Sequence, residues 1–157
     1  MEINDVDGIT IHELSGNCPV QAEGTLDGKQ FYFRARGSQW SFSVGSEPVG
    51  APDWEMRELW KQWPEAGWME PDEARALILR GAQEYRQWVR DEAGLPGELR
   101  RSHTLLREAA FLRQRAAQAL ELSTNVGQNS APTRLLDADF YLREALSRQQ
   151  EAASLVG

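Results

Sequence analysis

The chain predicts an α+β protein: a small antiparallel β-meander of three to four strands packed against an α-helix, followed by a C-terminal antiparallel αα-hairpin. Three observations predict it. Between Pro19 and Gly45 apolar residues recur at every second position around two tight turns. From Pro71 to about Asp91 they recur with a helical period, and beyond Pro96 two more helical stripes flank a loop of turn formers.

In the meander, Asp27-Gly28 supplies the positive φ that a type I′ hairpin turn needs at both central positions. Closing that turn sets Gly24 against Phe31, Ala22 against Phe33 and Val20 against Ala35. A second turn at Gly37-Ser38 sets Ala35 against Trp40, Phe33 against Phe42 and Phe31 against Val44. Both turns put the same residues on one apolar face and leave Gln21, Glu23, Thr25, Tyr32, Arg34, Ser41 and Ser43 on the other, because strand side chains alternate with period two. Upstream, Gly8 to Leu14 alternates Ile9, Ile11 and Glu13 against Thr10, His12 and Leu14, and adds a fourth strand at one edge.

Gly45, Pro48, Gly50 and Pro52 punctuate the next stretch as loop. It leads into a tryptophan-dense segment with indoles at Trp54, Trp60, Trp63 and Trp68. Two readings stay open for it. One is a short helix capped by Asp53, with Met56, Leu59, Trp60 and Trp63 along one side and Pro64 as its stop; the other is an irregular lid, since Pro64, Gly67 and Pro71 crowd the second half.

Pro71 then suits a first helical position, Asp72 and Glu73 complement the positive end of the helix dipole, and Gly94 with Pro96 end the helix. Its stripe of Ala74, Leu77, Ile78, Ala82, Tyr85, Trp88 and Val89 is wide enough to cover the face formed by Phe31, Phe33, Trp40 and Phe42. Glu98 to about Leu122 continues with Leu105, Ala109, Leu112, Ala116 and Leu120 in line, and Arg134 to Ser154 carries Leu135, Leu136, Ala138, Leu142, Ala145, Leu146 and Ala152. The polar loop between Ser123 and Thr133 folds these two back on each other. An alanine-rich seam buries little area, so the hairpin is expected to lean on the first domain or on a partner. The expected division is a core at 1–94 and a helical hairpin at 95–157.

The net charge of −7 is uneven: Met1 to Glu70 holds 12 acidic and 5 basic residues, Pro71 to Gly157 holds 12 of each. An acidic balance opposes general duplex binding and suits a partner with a basic surface. The opening residues MEINDVDG lack the basic and apolar regions of a secretory leader, and no apolar run approaches bilayer length, so a cytoplasmic protein without membrane contact is expected.

No catalytic, cofactor or metal set emerges, and the chain is read as not an enzyme. Gly24, Gly28 and Gly37 belong to turns and close strand contacts rather than to a phosphate loop. Cys18 is the only cysteine and has no basic neighbour in sequence, His12 sits in an edge strand, and His103 lies at the margin of a helical seam. The acidic pairs Asp72/Glu73, Asp91/Glu92 and Asp137/Asp139 lie near helix ends, where dipole compensation explains them. What remains is binding chemistry. Tyr32, Arg34 and Arg36 share the polar sheet face, an arrangement that binds single-stranded nucleic acid when more aromatics accompany it. Trp54, Trp60, Trp63 and Trp68 divide between residues that close the sheet and surface anchors, since Trp is enriched at interface hot spots.

With QAEG at Gln21 to Gly24, DG at Asp27-Gly28, FYFRARG at Phe31 to Gly37, WS at Trp40-Ser41, AGWM at Ala66 to Met69 and DEA at Asp72 to Ala74, the chain resembles small accessory proteins of phages, prophages and other mobile elements. The likeness covers Val20 to Tyr85 and carries no assigned chemistry. Its setting implies a factor that binds and disables a host complex, as anti-CRISPR proteins do. The expected function is therefore a non-enzymatic, protein-binding factor of the host cytoplasm. It would inhibit a host protein or ribonucleoprotein complex with a basic surface through acidic and Trp-containing surface, with Tyr32, Arg34, Arg36, Trp54, Trp60, Trp63 and Trp68 as candidate contacts. The alternatives are a single-stranded nucleic-acid binder using the polar sheet face, and a homodimer or larger assembly built through the helical hairpin.

Overall fold

The computed structural model describes residues 4–125 and 131–157; of the loop expected between Ser123 and Thr133, residues 126–130 lie outside the described residues and those on either side of them are helical. The chain is α+β and divides into two compact units, Met1–Asp91 and Glu92–Gly157.

In the first unit, six strands form one antiparallel sheet in sequence order: β1 (Asn4–Val6), β2 (Ile9–Ser15), β3 (Val20–Leu26), β4 (Lys29–Arg36), β5 (Gln39–Gly45) and β6 (Trp54–Leu59). The central three strands pair as their apolar alternation predicts, with Ala22 opposite Phe33, Phe33 opposite Phe42 and Ala35 opposite Trp40. Asp27 and Gly28 both take positive φ, as a type I′ turn requires.

The edges differ from the expectation. A second Asp-Gly pair, Asp7-Gly8, makes an equivalent turn and adds β1 beyond β2. Between Ile11 and Glu13 the register of β2 shifts, a bulge at His12 that turns Glu13 to the polar face opposite Glu23 and Leu14 to the apolar face opposite Ala22. On the other edge, Trp54–Leu59 is neither helix nor lid but β6, with Trp54 opposite Val44 and Met56 opposite Phe42. Glu58 in this strand opposes Trp40 at the rim of the apolar face, and the Arg80 guanidinium from the covering helix engages both of its carboxylate oxygens.

That helix, α1 (Pro71–Asp91), packs on the predicted face: Ala74, Ile78, Ala82 and Tyr85 join Phe31, Phe33, Trp40 and Phe42 in one core. Gly81 explains the close approach, because a Cβ there would lie 2.6 Å from Cγ of Phe42. Val89, expected on the packed stripe, is instead largely exposed. Rings run in contact from Phe31 to Phe42 (5.2 Å between centroids), Phe42 to Trp54 (6.4 Å), Trp54 to Tyr85 (5.8 Å) and Tyr85 to Trp88 (5.9 Å). Arg86 of α1 staples two turns at once: it makes two bonds to Asp27, at 2.9 and 2.8 Å, and a third to the Asp7 carbonyl.

In the second unit, α2 (Gly97–Asn125) and α3 (Ala131–Val156) run antiparallel, as the bonds from Ser102 Oγ to the Ala152 carbonyl and from Arg115 to the Tyr141 hydroxyl require. The seam repeats every seven residues, with Ser102, Ala109 and Ala116 facing Ala138, Ala145 and Ala152, and Leu105 and Ala119 beside them. Apart from Leu105 and the half-buried Leu112, the large residues expected to line it do not. Leu120, Leu135, Leu136, Leu142 and Leu146 are exposed, because alanine on both helices lets the backbones approach too closely for leucine between them.

Candidate functional site

Two recesses lie in the sheet-bearing unit. The first, about 640 Å³, opens on the polar face of the sheet and is lined by His12, Glu23, Thr25, Tyr32, Glu47 and their neighbours. Its far wall is the β5–β6 loop, closed on itself by the bond from the Ala51 N–H to the Glu47 carbonyl (2.8 Å) and tied back by Asp53, whose N–H bonds Val44 (2.9 Å) and whose carboxylate takes the Lys29 ammonium (3.1 Å). That bond raises the Lys29 pKa. Ser43, expected on an open polar face, is buried, and its hydroxyl donates to the Tyr32 carbonyl at 3.4 Å.

The sheet register sorts the charges on this face. One row reads Gln21, Arg34, Ser41, Arg57; the next reads Glu13, Glu23, Tyr32, Ser43, Glu55. Arg57 spends its charge on Glu55 at 2.5 Å. Arg34 and Arg36 are exposed, and Tyr32 is half-buried with Glu23 on one side and Ser43 on the other. Among the described residues no group of three or more His, Cys, Asp or Glu side chains could hold a metal ion.

The second recess is built by the segment between β6 and α1. Its backbone is fixed at several points: the Trp60 N–H bonds the Ser38 carbonyl (2.8 Å), the Ala66 N–H the Gly37 carbonyl (3.0 Å), and the Cys18 N–H the Gly67 carbonyl (2.7 Å). A short 3₁₀ turn, Glu65–Trp68, results, with Ala66, Gly67 and Met69 buried beneath it. Gly67 is needed there, since a Cβ would lie 2.8 Å from the Cys18 sulfur.

This rigid loop sorts the tryptophans. Trp54 is a core residue, 7% exposed, which removes it from the surface candidates, and Trp60 is half-buried against the core. Trp63 and Trp68 are 72% and 60% exposed. Trp60 and Trp68 line a recess of about 410 Å³ together with Lys61, Pro64, Glu65, Glu70 and Glu73. The Lys61 ammonium stands 4.4 Å from the Trp60 ring and 3.8 Å from Glu73. Glu65 accepts the Gln62 N–H at 2.8 Å, while the Glu70 side chain is exposed and has no ion-pair partner among the described residues.

The structure thus brings Trp60 and Trp68 to one recess, leaves Trp63 exposed beside Gly37, and puts Tyr32 and Arg34 in neighbouring rows of the polar sheet face. Sequence reasoning missed the carboxylates that complete the recess. Glu65 lies in the 3₁₀ turn, Glu70 just before α1 and Glu73 in its first turn, so the three share a recess only once that turn and the helix are in place.

Compared with family models, curated proteins and solved structures, the chain matches none. No helix among the described residues is long and apolar enough to cross a membrane.

Proposed function

We propose that this protein is a non-enzymatic binding factor that takes a Lys or Arg side chain of a basic protein surface against Trp68 and Glu70, in the recess whose Trp60 and Glu73 side its own Lys61 fills. The observation that carries the reading is Lys61: an ammonium of the chain itself already sits against an indole and a carboxylate there. Cations are held over aromatic faces by the ring quadrupole, and a carboxylate in the same recess adds an ion pair. Trp68 and Glu70 offer the same pair of groups to a second cation beside the first. Exposed Trp63 and Trp68 supply anchor area of the kind concentrated at interface hot spots.

Charge supports the same partner. The unit Met1–Asp91 holds 9 basic and 16 acidic residues and so carries the whole net charge of −7. Electrostatic attraction of this sign speeds encounter with a basic surface and weakens as salt rises. Inhibition of a host nucleic-acid-handling complex by a mobile-element factor is the specific form of this function that the sequence resemblance implies. The nucleic-acid alternative is weaker, because Tyr32 shares its row with Glu13, Glu23 and Glu55, which repel phosphate.

The test is a tryptophan-fluorescence titration of the full chain with short peptides rich in Lys and Arg, at low and high salt. Saturable binding that weakens at least tenfold in Trp68→Ala and in Glu70→Gln is expected. Absence of binding at low salt, or binding unchanged in both variants, overturns the reading.

A further inference from the structure

The hairpin's two faces differ sharply. On one, Arg148 pairs with Glu108 (3.1 Å) and Glu144 (2.7 Å), and Arg115 bonds the Tyr141 hydroxyl at 2.7 Å. The other face can be located from a single cross-helix bond, Arg113 to Gln149. Arg113 stands one heptad from both Leu106 and Leu120, and Gln149 one heptad from both Leu142 and Val156, with Leu135 a further heptad before. Residues seven apart share a helix face, so the bond between Arg113 and Gln149 brings both leucine rows to the same side of the hairpin. Leu146, four residues after Leu142, joins them.

We infer that this face pairs with the same face of a second copy, giving an antiparallel four-helix bundle about a two-fold axis. The leucines Leu106, Leu120, Leu135, Leu142 and Leu146 are between 44% and 54% exposed. Together they offer apolar surface on the order of 400 Å² per copy, about half of the roughly 800 Å² that each partner of a stable interface contributes. A self-complementary patch is what two-fold pairing needs. Charge selects the occupant. Glu92–Gly157 holds 8 acidic and 8 basic residues, so two hairpins meet without net repulsion and nothing on them favours a strongly charged partner, while the −7 of each Met1–Asp91 unit makes the pairing tighter as salt rises. Alanine seams within each hairpin and leucine rows between hairpins would then form the alternating small and large layers of a bundle core.

Sedimentation of the full chain from about 1 to 100 μM tests this directly. A monomer–dimer equilibrium is expected, weakened at least a hundredfold in the double variant Leu106→Glu, Leu142→Glu. Should that variant lose helix, disulfide trapping in a Cys18→Ser background replaces it: Gln149→Cys gives a covalent dimer on oxidation and Glu144→Cys, on the ion-paired face, does not. A wild-type chain that stays monomeric throughout overturns the proposal, as does cross-linking through Glu144→Cys alone. A monomer that co-sediments with phosphatidylcholine vesicles overturns it in favour of a lipid surface.

Discussion

The two units solve the burial problem in opposite ways. The sheet unit hides its large apolar residues: Phe31, Phe33, Trp40, Phe42 and Ile78 are almost wholly removed from water. The hairpin hides small ones, Ala109, Ala116, Ala138, Ala145 and Ala152, with Leu105 as its one fully buried large aliphatic among the described residues. Burial stabilises in proportion to area, so an aromatic core holds a unit together where an alanine seam mainly sets its geometry. The difference teaches where to look for partners. On the sheet unit the exposed tryptophans lie outside the core and are spare; on the hairpin the exposed leucines are the surface that the proposed pairing of two copies would cover.

The largest effect should come from breaking the aromatic core. Phe33→Ala is expected to cost about 3–5 kcal/mol in the denaturant transition read by tryptophan fluorescence, since it leaves a cavity among fixed rings. Smaller losses should follow from closing approaches that small residues keep open. Gly81→Ala pushes a methyl into Phe42, and Ala145→Leu pushes a side chain into the facing helix; each is expected to cost about 1–3 kcal/mol, the first despite the better helix propensity of alanine over glycine. Gly81→Ala should lower the fluorescence transition, and Ala145→Leu the helical signal at 222 nm.

The sequence carried the middle of the sheet unit and lost its rims, for reasons visible in particular residues. Strands β3 to β5 alternate cleanly because one face is buried along their whole length and Asp27-Gly28 fixes the register. At β6 the alternation is masked by Glu58, which faces the apolar side and is tolerated only because Arg80, 22 residues later, binds it. No local pattern reveals such a partner. The bulge at His12 likewise exchanges the two faces of β2 partway along. Asp7-Gly8 could have been read as a turn from the same signal as Asp27-Gly28. In the hairpin, a helical period shows that a face is apolar but not which of two adjacent apolar stripes meets the neighbouring helix, and here alanine took the contact. For the candidate site, exposed tryptophans were anticipated, while the split between Trp54 inside and Trp63 and Trp68 outside required β6 to be a strand.

A gentler effect should sharpen the account of the turns. The Arg86 guanidinium bonded to Asp27 holds the Asp27 carboxyl below the usual carboxylate range. A depressed carboxylate stabilises the fold above its unfolded pKa, near 3.9, and loses that contribution as pH falls through the lower folded value. The stability gap between wild type and Asp27→Asn should therefore shrink below about pH 4. It should stay under about 1 kcal/mol at neutral pH, because the pair is partly solvated. Smallest of all, Trp68→Ala should change stability by no more than about 0.5 kcal/mol, a loss confined to binding.

All six tryptophans, Trp40, Trp54, Trp60, Trp63, Trp68 and Trp88, fall within Met1–Asp91, so fluorescence reports the sheet unit alone while circular dichroism at 222 nm weighs the long helices of the hairpin. Thermal unfolding of the full chain, followed by both signals over a hundredfold range of concentration, reads the contrast between the two units most directly. Association that saturates over that range adds about 2.7 kcal/mol to the unit that carries the interface. The expected result is a 222 nm transition that climbs with concentration beside a fluorescence transition that stays in place. Two transitions that both ignore concentration, or that move together, would contradict the account.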